Sequence, residues 1–257
     1  MLPLIPEPPR RRSKGGRPFI SKIKPIADGI FYKLRTGCQW NAIPRCFGAS
    51  STIHLYFQRW VELGIFEKMW EVALEEYDDL VVVAWKHQSI DTSTVKSPHG
   101  GEKTGKNPMD RGKLGCKRSV LVDARGVPLS IEIAPANRHD SKLLRETLKK
   151  RKYRRKRTKQ RRRLHLHGDK GYDSEESRTS ARRHGYIPKI AKKRRKDRRG
   201  RPVIKRDPYR WLVESSHSWQ NRFRSLKVRW EKKATNYLAL MHLSFAIIAL
   251  RAANVIG

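Results

Sequence analysis

The sequence predicts an α/β protein in which a small all-helical unit precedes a mixed sheet flanked by helices, and three observations lead there. Apolar residues recur at helical spacing from Ile23 to Tyr77, the period shortens to that of strands near Val81, and helical and strand-like stretches alternate beyond Asp140. The implied division is a basic flexible arm at 1–18, a helical unit at 19–82 and an α/β unit at 83–257.

The arm mixes prolines with RRRSKGGRP, a composition that resists helix and strand, and disorder is expected there until a polyanion is bound. Ile23, Ile26, Ile30 and Leu34 then mark a first helix stopped at Gly37. A short segment from Trp40 to Phe47 follows. Ser50, Ser51 or Thr52 can cap the next helix, whose core face is Ile53, Phe57 and Trp60 and whose stop is Gly64. A further helix from Phe66 to Tyr77 offers Met69, Trp70 and Leu74 to the same core. This order fits a helix-turn-helix-like module, with a plain helical bundle as the alternative.

In the α/β unit, VVVAW and HQSIDTSTV read as strand, and KRSVLVDARGVPLSIEIAPAN reads as two strands around an Arg125-Gly126 turn. Asp140 to Lys149 is a capped helix, Arg163 to His167 a strand, Ser174 to His184 a helix and Tyr186 to Ile190 a strand. Helices at about 208 to 228 and 235 to 252 close the chain.

Fifty-nine Lys and Arg against 24 Asp and Glu leave a net charge of +35, which makes a polyanion the natural partner. Two nearly pure cationic runs, at 151–163 and 192–201, are expected as loops that meet phosphate without reading sequence. Cys38, Cys46 and Cys116 form no C-x-x-C pair, so neither a disulfide framework nor a zinc knuckle is expected. The stretch Leu238 to Leu250, interrupted by His242 and Ser244, reads as too short to span a bilayer, and the expected location is the cytoplasm.

In so basic a chain, an acid at the end of an apolar strand needs a reason, because burying an unpaired carboxylate is costly. Asp91 closes HQSID, Asp169 follows LHLHG, and Glu214 lies on the helix of YRWLVESSHSW. Three such carboxylates make a hard oxygen site suited to Mg²⁺, and two ions can activate water and stabilise the leaving oxygen in phosphoryl displacement. Each acid also has a plainer reading: Asp91 as a turn residue, Asp169 as a loop former before Gly171, and Glu214 as a partner of Arg210. Asp123, beside the hairpin turn, and Asp173, as a cap of the next helix, are the rival acids.

The segments IDTSTVKSPHGG, NRHDSKLL, HGDKGYDSE and YRWLVESSHSWQNRFRSLKVRWEK, in that order, resemble the DDE transposases of bacterial insertion sequences, specifically the IS-five family. RRSKGGRPFISKIKPIADGIFYKLRTGCQWNAIP with FQRWVELGIFEKMW resembles that family's small DNA-binding domain. The resemblance implies an RNase H-like core with acids on the first strand, after the fourth and on a later helix, positions matched by Asp91, Asp169 and Glu214. It implies metal-dependent cleavage that frees a 3′ hydroxyl and joins it to target DNA, with two Mg²⁺ ions for which Mn²⁺ can substitute. Double-stranded DNA is the implied partner, both element ends and target. Joining two ends implies a homodimer or larger assembly, associated with the nucleoid.

The family's glutamate motif sets Tyr, Arg, Glu and Lys at fixed spacing. Arg210 and Glu214 fit it, whereas Asp207 and Asn221 stand in the Tyr and Lys positions, leaving Tyr209, Arg222 and Arg224 as nearby groups able to hold phosphate. Lys170 beside Asp169 is a candidate for the scissile phosphate, and Lys96, Ser97 and His99 for the DNA path. His54, Tyr56, Gln58 and Arg59 are candidates for base edges, Arg59 first because guanidinium pairs bidentately with guanine. His167 and His217 read either as water-positioning groups or as packed side chains. An RNA-binding protein, a general nuclease and a DNA-binding relic without activity are the rival functions; the first leaves the three acids unexplained.

Overall fold

The computed structural model describes residues 4–5, 23–151, 163–192 and 209–257, with the side chain of Arg210 left out. Most of the basic arm and of the two cationic runs, and Asp207, therefore lie outside the described residues.

Three helices open the described chain: α1 (Ile23–Thr36), α2 (Ser50–Glu62) and α3 (Ile65–Leu80), with two single 3₁₀ turns at Trp40–Ala42 and Arg45–Phe47 between the first pair. Ile26, Ile30, Leu34, Ile53, Phe57, Trp60, Met69, Trp70 and Leu74 are all buried, as their helical spacing requires. The segment VVVAW is not a strand. The chain turns there, with Val82 at φ 66 and Asp78 accepting from the Val83 amide at 2.8 Å, while Val83 and Trp85 drop into the core.

The sheet has strands β1 (His87–Lys96), β2 (Gly105–Lys106), β3 (Leu114–Val122), β4 (Pro128–Pro135), β5 (Leu164–Gly168) and β6 (Tyr186–Ile190). Its long strands run in the order β4-β3-β1-β5-β6, with β2 a two-residue addition to the start of β3. β1, β3 and β4 are antiparallel neighbours, while β5 pairs parallel with β1 and β6 parallel with β5. This is the RNase H-like arrangement: a meander of three strands whose first member is extended by two parallel strands reached through helices. Those helices are α4 (Asp140–Lys149) and α5 (Glu175–Arg183). The β3–β4 turn is built on Asp123, which is fully buried and accepts from the amides of Arg125 and Val127, both at 2.9 Å, and from the Tyr77 hydroxyl at 2.8 Å. Asp123 is thus a turn residue, as its hairpin reading expects.

The expected helix over 208–228 is broken. α6 (Arg210–Asn221) ends before Phe223, whose extended ψ of 99° separates it from the four-residue α7 (Arg224–Lys227). α8 (Ala234–Ala252) follows and is long and apolar enough to cross a membrane by length and composition, more so than the interrupted stretch suggested. It is a core helix here, with 78% of its apolar window buried.

α3 ends at Leu80 and β1 begins at His87, and the apolar core runs across the segment between them. α3 packs along α8, where Trp70 is wholly buried with its ring stacked 5.2 Å from His242 and edge-on to Phe245 at 5.1 Å. α1 packs on α7, where the Ser225 hydroxyl donates to the Lys33 carbonyl at 2.7 Å. Burying aromatic faces on both sides of this seam is the main favourable term holding the helices to the sheet.

Candidate active site

β1 and β5 are in parallel register with His87 opposite His165 and Ile90 opposite Gly168, so the next residues on each strand, Asp91 and Asp169, stand side by side. Adjacent strands lie about 4.8 Å apart. The strand alternation turns His87, Ser89, Asp91 and Ser93 to one face, and α6 covers that face. Ser89 donates to the Tyr209 carbonyl at 2.6 Å, and the Ser93 hydroxyl meets Nδ1 of His217 at 3.2 Å. α6 therefore runs along β1 in the same direction. With roughly 1.5 Å of rise per helical residue and 3.3 Å per strand residue, Glu214 comes level with Asp91.

The three acids are not equivalent in their surroundings. Asp169 is partly buried and its Oδ1 accepts from the Gly171 amide at 2.7 Å, so it also forms the loop that its plainer reading expects. Asp91 is partly buried, and Glu214 is exposed on the flank of α6. Among the described residues no three His, Cys, Asp or Glu side chains are gathered closely enough to hold a metal ion. The donor chemistry suits a hard cation at the Asp91 and Asp169 pair, with Glu214 level with it but not drawn in.

Side chains around this end were not singled out in the sequence. Tyr172, in HGDKGYDSE, is fully buried, and its hydroxyl shares a 2.6 Å hydrogen bond with Thr92 next to Asp91. Burial pushes its phenol far above the usual value, and the charges of Asp91 and Asp140 add to the rise. Asp140, in NRHDSKLL, approaches Asp169 across Gly171: a Cβ built on Gly171 would lie 2.9 Å from Oδ1 of Asp169 and 3.4 Å from Oδ2 of Asp140. Lys117 neutralises Asp140 at 2.7 Å. No spacing rule marks either residue, since their closeness arises from the sheet. Asp173, expected to cap the following helix, instead pairs with Arg178 at 2.6 Å; Ser174 is the cap, accepting from the Ser177 amide.

Both histidines near the acids are packed groups. His167 is buried and meets Nδ1 of His87 at 3.0 Å, while Tyr209 stacks on His87 with ring centroids 4.0 Å apart, fixing the start of α6 over β1 and β5. His217 is buried, and burial, assisted by the nearby Arg118 charge, pushes it down to about 3. It is neutral at pH 7. Because the unfolded chain takes up this proton near the ordinary 6.5 and the folded chain does not, folding is opposed as the pH falls from about 6.5 towards 3. Midpoints of urea unfolding should drop over that interval, with a shallower fall in His217→Gln; identical slopes would remove His217 as the cause.

Arg118, buried on β3, ties the layers together: it donates to Ser93 at 3.1 Å, to the Leu226 carbonyl at 3.4 Å and to Oδ1 of Asn221 at 3.1 Å. Asn221, in the place of the family's lysine, thus accepts from an arginine of the sheet. Arg222 and Arg224 are exposed just beyond it, Tyr209 is half-buried, and Lys170 is exposed next to Asp169. Lys96 is exposed at the far end of β1, with Asp110 at 3.6 Å.

On α2 the expected base-reading face needs one correction. Tyr56 is a core residue, 5% exposed and edge-on to Trp60 at 6.0 Å, because its position falls on the same side as Ile53, Phe57 and Trp60. His54 is half-buried against Trp40 at 4.7 Å and shares a 3.3 Å hydrogen bond with Gln58. Arg59 is half-buried, and the solvent side also carries Leu55 and Glu62.

Comparison with known proteins adds an independent line. Residues 1–70 match the family model for transposases of the IS4/5 family, and residues 86–249 match the transposase DDE domain. A Burkholderia cepacia protein named as a transposase for insertion sequence element IS402 is 36% identical over 152 residues, covering 58% of this chain and 69% of that protein. An uncharacterised 16.2 kDa protein of the same element is 27% identical over 109 residues, 41% of this chain and 74% of its own length. Among solved structures, the catalytic domain of Mos1 mariner transposase aligns at 12% identity and a TM-score of 0.33, over 73% of this chain and 91% of that one. A likeness that distant carries no argument.

Proposed function

Because this chain belongs to the IS4/5 family of DDE transposases, we propose that Asp91, Asp169 and Glu214 are its catalytic carboxylates and hold two Mg²⁺ ions, replaceable by Mn²⁺. As a family member it is an enzyme that cleaves and joins DNA strands and depends on divalent metal. The observation that carries the assignment is the register placing Asp91 beside Asp169 at the ends of adjacent parallel strands, with Glu214 level on α6. When bound, the ions supply an activated water and charge for the leaving oxygen in an in-line displacement.

The protein's own groups orient the DNA. Lys170 binds the scissile phosphate in this reading, and Arg210, Arg222, Arg224 and Lys96 the flanking backbone, while Arg59, His54 and Gln58 read base edges. Tyr56 stays in the core and takes no part in reading. A helix-turn-helix-like unit over 19–82 recognises the element ends and the unit over 83–257 cuts them, with a basic arm at 1–18 on the DNA backbone. Water attack frees a 3′ hydroxyl at the element end, and that hydroxyl then attacks target DNA, so two copies at least bring two ends together. The site of action is the nucleoid in the cytoplasm.

Labelled duplexes carrying the element's ends test the reading directly. Nicked and joined products should form with Mg²⁺ or Mn²⁺ and vanish with EDTA; nicking without joining would make the protein a nuclease instead. Affinity for the ends should fall roughly 10³-fold between 50 and 200 mM salt if about six phosphates are contacted. A flat salt response would remove the backbone contacts from the account.

A further inference from the structure

We propose that Trp230 and His99 form a stacking platform for an unpaired nucleobase of the DNA strand that runs away from the cleavage site along β1; the proposal rests on the transposase reading above. Trp230 keeps 48% of its surface exposed, and its ring lies 5.2 Å from that of His99, also exposed, on the loop after β1; the two planes are inclined by 55°, so the indole offers the stacking face and the imidazole flanks it. An indole left in water forgoes the stabilisation that burial would give and keeps its face open to a ligand.

The support beneath this pair is rigid. The Arg229 amide donates to the Lys96 carbonyl at 2.8 Å, and the Glu102 amide to the Lys232 carbonyl at 2.9 Å. Arg229, wholly buried, donates its guanidinium to the carbonyls of Glu231 at 2.9 Å and Lys232 at 3.1 Å. Glu102 accepts from the Ala234 amide at 2.8 Å. Gly101, at φ 108, presses so close that a Cβ there would come within 2.3 Å of the Lys232 carbonyl oxygen. The loop after β1 and the segment before α8 are thus one surface, and ordering it costs little when a ligand arrives.

The chemistry around the platform selects the ligand. Lys227, Lys232 and Lys233 are exposed on the same short segment as Trp230, and Lys96 is exposed where β1 meets the loop. Exposed aromatic surface flanked by cations is the pattern that binds single-stranded nucleic acid, bases on the ring and phosphates on the lysines. Lys96 lies five residues beyond Asp91 on the same strand, roughly 16 Å at 3.3 Å per residue. The stacked base therefore belongs to an opened segment within a few nucleotides of the cleaved phosphate.

Binding of two DNAs by fluorescence anisotropy separates the outcomes: an end that is fully paired, and the same end with five unpaired nucleotides next to the cleavage position. Trp230→Ala should weaken binding of the unpaired form roughly ten- to hundredfold, leave the paired form unchanged, and be rescued by Trp230→Phe. Equal loss on both DNAs, or no loss on either, overturns the proposal. Photocrosslinking of 5-iodouracil scanned along the unpaired segment of DNA bound to the wild type gives a second readout that needs no variant. The crosslink should peak at one position of that segment and map to Trp230, and crosslinks that avoid Trp230 overturn it. If the wild type neither binds nor cuts element ends, the transposase reading itself fails. If it does both while Trp230→Ala behaves as wild type, only the stacking platform falls.

Discussion

Asp169→Ala should reduce strand cleavage and joining together by roughly 10³-fold, the size of loss that follows removal of one preorganised group stabilising charge in the transition state. DNA affinity should not fall, since an acid has been taken from a basic surface. The alanine variant also removes the acceptor for the Gly171 amide, so on its own it confounds charge with loop structure. Asp169→Asn separates them, because its side-chain oxygen can still accept from Gly171 while the charge is gone. Loss in both variants places the requirement on the carboxylate; near-normal rates in the asparagine variant would reduce Asp169 to a loop former. Asp91→Asn, one strand over, should match Asp169→Asn in rate and in its failure to respond to added metal.

The second large effect is on stability. Trp70→Ala should cost about 3 to 5 kcal/mol, because the wholly buried indole contacts both His242 and Phe245 and leaves a cavity between α3 and α8 that packed helices cannot close. For a chain of this size that lowers Tm by about 10 °C. Near-ultraviolet and far-ultraviolet circular dichroism should report one shared transition moved as a whole. Two transitions, with only the earlier one shifted, would show that the helical unit unfolds apart from the sheet and that the seam is weaker than its burial suggests.

How much of this was legible in the sequence varied with the range of the interaction. Helical spacing placed Ile53, Phe57, Trp60 and Trp70 in the core, and strand spacing with the Arg125-Gly126 turn placed β3 and β4, because those signals are local. The acids of β1 and β5 were found as strand-end carboxylates, but their adjacency depends on a parallel pairing across more than seventy residues that no local pattern encodes. Tyr56 misled because an amphipathic-looking residue on a helix can turn its ring inward when its neighbours do. VVVAW misled because β-branched runs favour strands until an acid such as Asp78 captures the backbone in a turn. Asp140 and Tyr172 escaped notice for the opposite reason: each looks ordinary in sequence and acquires its neighbours only from the folded sheet.

The seam between α3 and α8 also sets a timetable for synthesis. α3 leaves the ribosome roughly 150 residues before α8, a delay of about 10 to 30 s at bacterial elongation rates. Through that interval the face around Trp70 lacks its cover, so the opening helices reach their final packing only as α8 emerges. A polypeptide cut short before α8 is thereby denied the closed core that joins the opening helices to the sheet. Interrupted translation therefore leaves the opening helices without their final packing.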